Sequence, residues 1–474
     1  MVMPEQQEVQ LTRNVVAVLL LGLVAVGSTS ALVLNVPSDY STIQAGIDAA
    51  TSGDTVLVAP ATYYENINFR GRNIVVASYY LLSGNPGVID STIINGGNGV
   101  TDTASCVLIV SGEDSTAVLE GFTITRGTGT PWVDEHNDSL YREGGGILIA
   151  LSSPVIRHNV IVNNSATSRS GVTSAGGGGI RVGDGNPLIE GNVIMLNNGR
   201  YGAGIVLNYT GAQVRNNVIF NNRGGQDYGG GGIWVYQGFS APKVIENNTI
   251  VKNFSTTSGG GMRVWDADSV IFRNNVVRGN TAPTGAQLDD PNVGARVTYC
   301  DVQGGWAGNG NADADPLFAL DNFYLTPGSP CVDAGDPDPA YNDPDSSGVA
   351  KWPALGGLRN DMGAYGGPRA SVVATTFYGI SERPPVGTRR FGLTVQPQPC
   401  RTEAFVRFEL PRPGQVSLAL YDAAGRQVRQ FIAGCVNAGG QVVRLSVSGL
   451  PAGGYVCRLV AGGRVETTAL VLAR

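Results

Sequence analysis

The chain has 474 residues and a formal net charge of −6, with 15% charged residues and only three lysines. That leaves no polycationic surface, so nucleic acid is not an expected partner. Its 67 glycines are about twice the usual share, and six cysteines in so long a chain do not make a disulfide scaffold.

Residues 1–31 read as an export signal. Arg13 precedes an apolar run from Val15 to Val26, which the small residues Gly27 to Ala31 follow. The run is too short to span a bilayer, and its order predicts cleavage near Ala31. The next stretch, VPSDYSTIQAGIDAATSGDTVLVAPATYYENI, resembles the opening of carbohydrate-acting β-helix enzymes. Ser41 and Gln44 read as a capping box for a short helix with Ile43 and Ile47 on one face and Gly53 as its stop. Such a helix would cover the apolar end of a repeat stack. Pro60-Ala61-Thr62-Tyr63-Tyr64-Glu65 stands where pectin methylesterases have a related motif, but their catalytic Gln and paired-Asp motifs have no later match. Glu65 therefore reads as a turn residue.

From Gly144 to Asn280 one phrase recurs five times: PVIRHNVIVNN, PLIEGNVIMLNN, AQVRNNVIFNN, PKVIENNTIVKN and SVIFRNNVVRGN. VLEGFTITRG at 118–127 is an earlier, degenerate copy. Aligned, the copies put Asn159, Asn192, Asn217, Asn248 and Asn275 in one column, and Asn164, Asn197, Asn222, Asn253 and Asn280 in a second. The spacing is that of a solenoid with unequal loops. Ile156, Ile189, Val214, Ile245 and Ile271 before the first column, and Ile161, Ile194, Ile219, Ile250 and Val277 after it, are expected to point inward and stack. The column Asn is expected to take the left-handed conformation at a bend and to bond its amide to the next rung. These repeats resemble the right-handed parallel β-helix family that includes pectate lyases, polygalacturonases and pectin methylesterases. The fold expected over residues 32–294 is therefore an all-β parallel solenoid with an N-terminal capping helix.

Glycine clusters lead a strand into each rung. Alternation there points Ile147, Ile180, Ile205, Ile233 and Met262 inward and leaves an outward face of Leu148, Arg181, Val206, Trp234 and Arg263, then Ala150, Gly183, Asn208, Tyr236 and Trp265. Asp184, Tyr209 and Asp266 lie just beyond. Aromatic faces beside Arg and Asp suit a sugar chain, through ring stacking and charge-assisted bonds to hydroxyls or uronate carboxylates. In the resembling enzymes the substrate groove runs along such a face. The longest regular loop, at 128–143, adds Trp132, Asp134 and Glu135. Its Trp132-Val133-Asp134-Glu135-His136 departs from the pectate lyase motif by the intervening Glu135, and the lyase and polygalacturonase signatures are otherwise missing. His158 reads as a surface corner residue. Asp184 and Asp266, with Tyr209 and Gln237 between them, would stand roughly 14 Å apart, too far to share a metal or to work as a glycosidase pair.

Residues 295–368, with DVQGG, DPLF, GSPCVDAGD and DMGAYGG, resemble the choice-of-anchor Q module that follows many bacterial surface β-helices. Its implied role is to cover the C-terminal end of the solenoid. Cys300 and Cys331 are candidates to pair, as are Cys435 and Cys457. Asp333, Asp336, Asp338, Asp343 and Asp345 offer oxygen ligands for Ca²⁺, but prolines and the lack of EF-hand order read as a solvated turn, so neither metal nor other cofactor is expected. A linker at 369–390 leads to 391–474, whose period-two alternation predicts a β-sandwich of about seven strands. LPRPGQVSLALYDAAGRQVR and GLPAGGYVCRLVAGG resemble the sorting domain of type IX secretion, or its FlgD-like Ig relative, although Gln396-Pro397-Gln398-Pro399 replaces the family's Asn-Pro. The expectation is a secreted or cell-surface protein that binds polysaccharide along its strand face and meets the sorting machinery through its C-terminal domain. Its rivals are a polysaccharide lyase or glycoside hydrolase in the same groove, and a structural or adhesion spacer.

Overall fold

A computed structural model describes residues 31–98, 105–238, 241–267, 269–319, 323–371, 393–396, 400–410, 414–422, 426–436, 439–461 and 464–473. Residues 1–30 of the stretch read as an export signal and nearly all of the linker lie outside them. The repeat winds into three long parallel sheets, with a short four-stranded parallel sheet beside them. One has ten strands running in order from Val33–Val36 to Ala295–Thr298, a second nine from Thr62–Tyr63 to Asp301–Val302, and a third eight from Ile67–Asn68 to Leu288–Asp289. Each rung contributes one short strand to each sheet, so residues at one repeat position stack in register, as Ile147, Ile180, Ile205, Ile233 and Met262 do. These columns, with Ile161, Ile194, Ile219, Ile250 and Val277, form one continuous buried core.

The helix Ile43–Ala49 inserts Ile43 and Ile47 into the first end of that core. Its cap is Thr42, not Ser41: the Thr42 hydroxyl accepts from Ala45 N at 3.0 Å. Glu65 completes the cap by accepting from Ile43 N and Gln44 N, both at 2.9 Å, which gives that residue a structural task.

Both Asn columns form amide ladders. Asn192 Nδ2 donates to Asn217 Oδ1, Asn217 Nδ2 to Asn248 Oδ1 and Asn248 Nδ2 to Asn275 Oδ1, each at 3.0 Å. The left-handed conformation, however, belongs to the residue before each ladder Asn: His158, Gly191, Asn216, Asn247 and Asn274 in the first column. The ladder side chains are wholly enclosed and bond inside the coil, while the preceding residue takes the bend and faces outward. In the last repeat the inward residue is Phe272, which registers with Ile245; Ile271 registers with Val244 and is only half-buried. The glycine clusters have a steric cause. A Cβ on Gly204 would lie 2.4 Å from the carbonyl oxygen of Gly232, and one on Gly232 2.5 Å from that of Gly261.

The segment after the last full rung does more than close the end. Ala295–Thr298 and Asp301–Val302 continue two sheets, and the chain then runs back along the side of the coil. Tyr324, Ala364 and Tyr365 pack on Val162, Val193, Val218 and Val251 of the second sheet. The bend residues peg it: Asn216 Nδ2 donates to Ala364 O at 3.0 Å and Gly366 O at 2.7 Å, Asn247 Nδ2 to Asp361 O at 2.9 Å, and Asn274 Oδ1 accepts from Asp336 N at 2.8 Å. Cys300, Cys331 and Cys457 are buried free thiols, contrary to the expected pairings. The acidic run is not uniformly solvated, since Asp343 is buried whereas Asp338 and Asp345 are exposed.

Residues 393–473 form a three-stranded and a four-stranded antiparallel sheet around one core containing Val406, Phe408, Leu418, Leu420, Leu459 and Leu470, a small β-sandwich. Among the described residues no helix is long and apolar enough to cross a membrane.

Candidate functional site

The expected face is the outer side of the third sheet, and it is divided lengthwise. Its first row registers as Leu148, Arg181, Val206, Trp234 and Arg263. Arg181 is 4% exposed and Trp234 5%, so neither belongs to an open groove, contrary to expectation. The cover comes from the loops. The 128–143 loop is a hairpin, Thr130–Val133 paired with Leu140–Glu143, and Leu140–Glu143 continues onto Thr173–Gly176. Glu143, 2% exposed, meets Arg181 Nη2 at 3.3 Å, and burial raises the Glu143 pKa while Arg181 opposes the rise. Tyr201 lies over Trp234 with ring centroids 4.6 Å apart. Arg263 is held by Asp289 at 3.2 Å, and its guanidinium lies 4.4 Å from the Trp265 ring centre.

In the second row Ala150, Gly183 and Asn208 are buried, so the open half consists of Tyr236, Trp265 and the bend column beyond them. Trp265 is 37% exposed and Tyr236 half-buried. Asp184, Tyr209, Gln237 and Asp266 all have positive φ, 46° to 51°, which turns the chain and carries their side chains to one edge. One residue not among the expected ligands, His136, completes this edge. His136, from the hairpin tip, places Nε2 2.9 Å from Asp184 Oδ1, and its ring stacks on Tyr209 with centroids 3.5 Å apart. Tyr209 in turn meets Tyr236 edge-on, and burial, then the neighbouring Tyr236, pushes the Tyr209 hydroxyl up to about 12. Gln237 Nε2 donates to Asp266 Oδ2 at 2.8 Å. At the tip Asp134 is buried and accepts from His136 N at 3.0 Å, while Trp132 Nε1 donates to exposed Glu135 at 2.8 Å. Asp184 and Asp266 are separated by the rungs of Tyr209 and Gln237, as expected.

The sequence reading missed His136 because its partners stand 48 and 73 residues away, on rungs that only the register identifies. The edge offers stacking faces, a histidine–carboxylate pair and acceptor oxygens. Among the described residues no cluster of three or more His, Cys, Asp or Glu is arranged to hold a metal.

A second arrangement lies on another side, around a cavity of about 200 Å³. His158 Nδ1 is 3.0 Å from Glu120 Oε1, and its Nε2 is 3.5 Å from Ser371 Oγ, the order of a nucleophile–base–carboxylate triad. His158 is therefore not a free surface residue. It occupies the bend column whose members Asn216, Asn247 and Asn274 peg the returning segment, and Ser371 lies two residues after Arg369, which pairs with Glu190 on the neighbouring rung, so docking accounts for the contact.

Sheet topology and the amide ladders define a parallel β-solenoid. The family described as right handed beta helix region matches residues 46–277 and 167–311. Together the two overlapping matches span more than half of the chain, which belongs to this family. A search of curated proteins finds no match.

Proposed function

We propose that the protein binds polysaccharide along the open half of the third sheet's outer face. The supporting observation is the edge of His136, Tyr209 and Tyr236, whose rings meet in turn, with Trp265 in register on the next rung and Asp184, Gln237 and Asp266 beside the rings. Aromatic faces stack on sugar rings and the polar groups fix hydroxyls. Trp132 and Glu135 on the hairpin tip extend the edge. Arg181 and Trp234 act beneath it, as supports. Export is proposed from the leader-like residues 1–31, and surface attachment from the resemblances of 295–368 and of the C-terminal sandwich. The test is retention of the mature protein on an immobilised polysaccharide panel, with released unsaturated or reducing ends measured in parallel. Retention without product supports a binder, and absence of retention refutes the reading.

An enzymatic reading has one observation in its favour, the His136–Asp184 pair beside Tyr209. Such a group can move a proton at a glycosidic or ring position. Product formed by the wild type and abolished in His136→Ala would establish it.

A further inference from the structure

We infer that the glycan taken by this face is non-acidic, bearing hydroxyls or amines but no carboxylates or sulfates. The inference rests on the binding reading above. An acidic polymer needs cations, and the arginines of this face are already engaged. Arg181 holds Glu143 beneath the hairpin, and Arg263 holds Asp289. On the rim Arg200 pairs with Asp227 and lies over the Tyr228 ring. Lys243, buried, spends its ammonium on the Gln237 carbonyl, and the groups left along the open edge are carboxylates beside uncharged donors, Glu135 with Trp132 and Asp266 with Gln237, and Asp184 with His136. A uronate laid there would meet like charge.

One enclosed polar atom beside this edge bears on the same question. Asn208, 8% exposed, stands in the second row between Gly183 and Tyr236, and its Oδ1 has no hydrogen-bond partner among the described residues. That oxygen needs a donor, which a sugar hydroxyl or amine supplies and a carboxylate or sulfate group does not.

Affinity electrophoresis of the full mature protein, in gels containing a neutral glucan, chitosan, polygalacturonate or alginate, tests this. The expected result is retardation by glucan or chitosan at least roughly ten-fold stronger in apparent Kd than by either uronate polymer. Asn208→Leu should weaken that retardation without lowering the melting temperature. Asp184→Asn combined with Asp266→Asn should raise uronate binding toward the neutral level. Preferential wild-type retardation by a uronate would overturn the inference while leaving the binding reading intact. No retardation in any gel would overturn both.

Discussion

Asn217 makes more bonds than any other kind of residue at its position would permit. Its amide nitrogen donates to Ile189 O, Arg215 O and Asn248 Oδ1, and its oxygen accepts from Asn192 N and Nδ2. Asn217→Leu keeps the volume and removes all of these, leaving enclosed groups unpaired at about 1–3 kcal/mol each. A loss of at least about 3 kcal/mol is expected in denaturant unfolding. The two tryptophans of the face separate packing from binding. Trp265→Ala should reduce glycan retention with unchanged melting, whereas Trp234→Ala should cost about 3–5 kcal/mol of stability; equal melting of the two variants would contradict the burial argument. Arg181→Met strands Glu143 and should cost about 3–5 kcal/mol, part of which Glu143→Gln in the same chain restores.

The repeating elements were legible because their cause repeats. Each rung needs an inward aliphatic, a ladder amide and a glycine where carbonyls pass closely, so the pattern returns at every turn. Elements made once were not legible. Thr42 rather than Ser41 caps the helix, Phe272 rather than Ile271 fills the last layer, and the left-handed residue precedes the ladder Asn. Each is a one-residue shift that alternation alone does not fix, because neighbouring residues share polarity. The site was harder still. That Arg181 and Trp234 are covered depends on the hairpin at 128–143 and on Tyr201, whose folding carries no repeat signal. Alternation placed both outward rows in register but could not tell the row that the loops cover from the edge left open.

At the scale of the molecule, the segment after the last rung sets a pH dependence. Asp343 is raised to about 8, by burial first and by neighbouring Asp361 next, and Asp361 to about 6 by burial. Their ordinary value is 3.8. A carboxyl raised on folding keeps a proton that the unfolded chain releases, so its stabilising share is complete below about pH 4 and is lost progressively as pH rises to about 8. Thermal unfolding across that window should show stability falling with pH, less steeply in Asp343→Asn. An equal slope in the variant would remove Asp343 from the account.

The lateral course of that segment also decides how the molecule bears load. A stack whose rungs touch only their neighbours peels one turn at a time from a free end. Here the segment after the last rung is fastened through Asn274, Asn247 and Asn216 and then, by Arg369, to Glu190, so that it crosses successive turns. Tension applied beyond residue 371 is therefore shared among these contacts before it reaches the final rung. It strains those bonds in parallel, as shear. In single-molecule pulling the first rupture should be one cooperative event at higher force than the later steps, and Asn247→Ala should lower that first force alone.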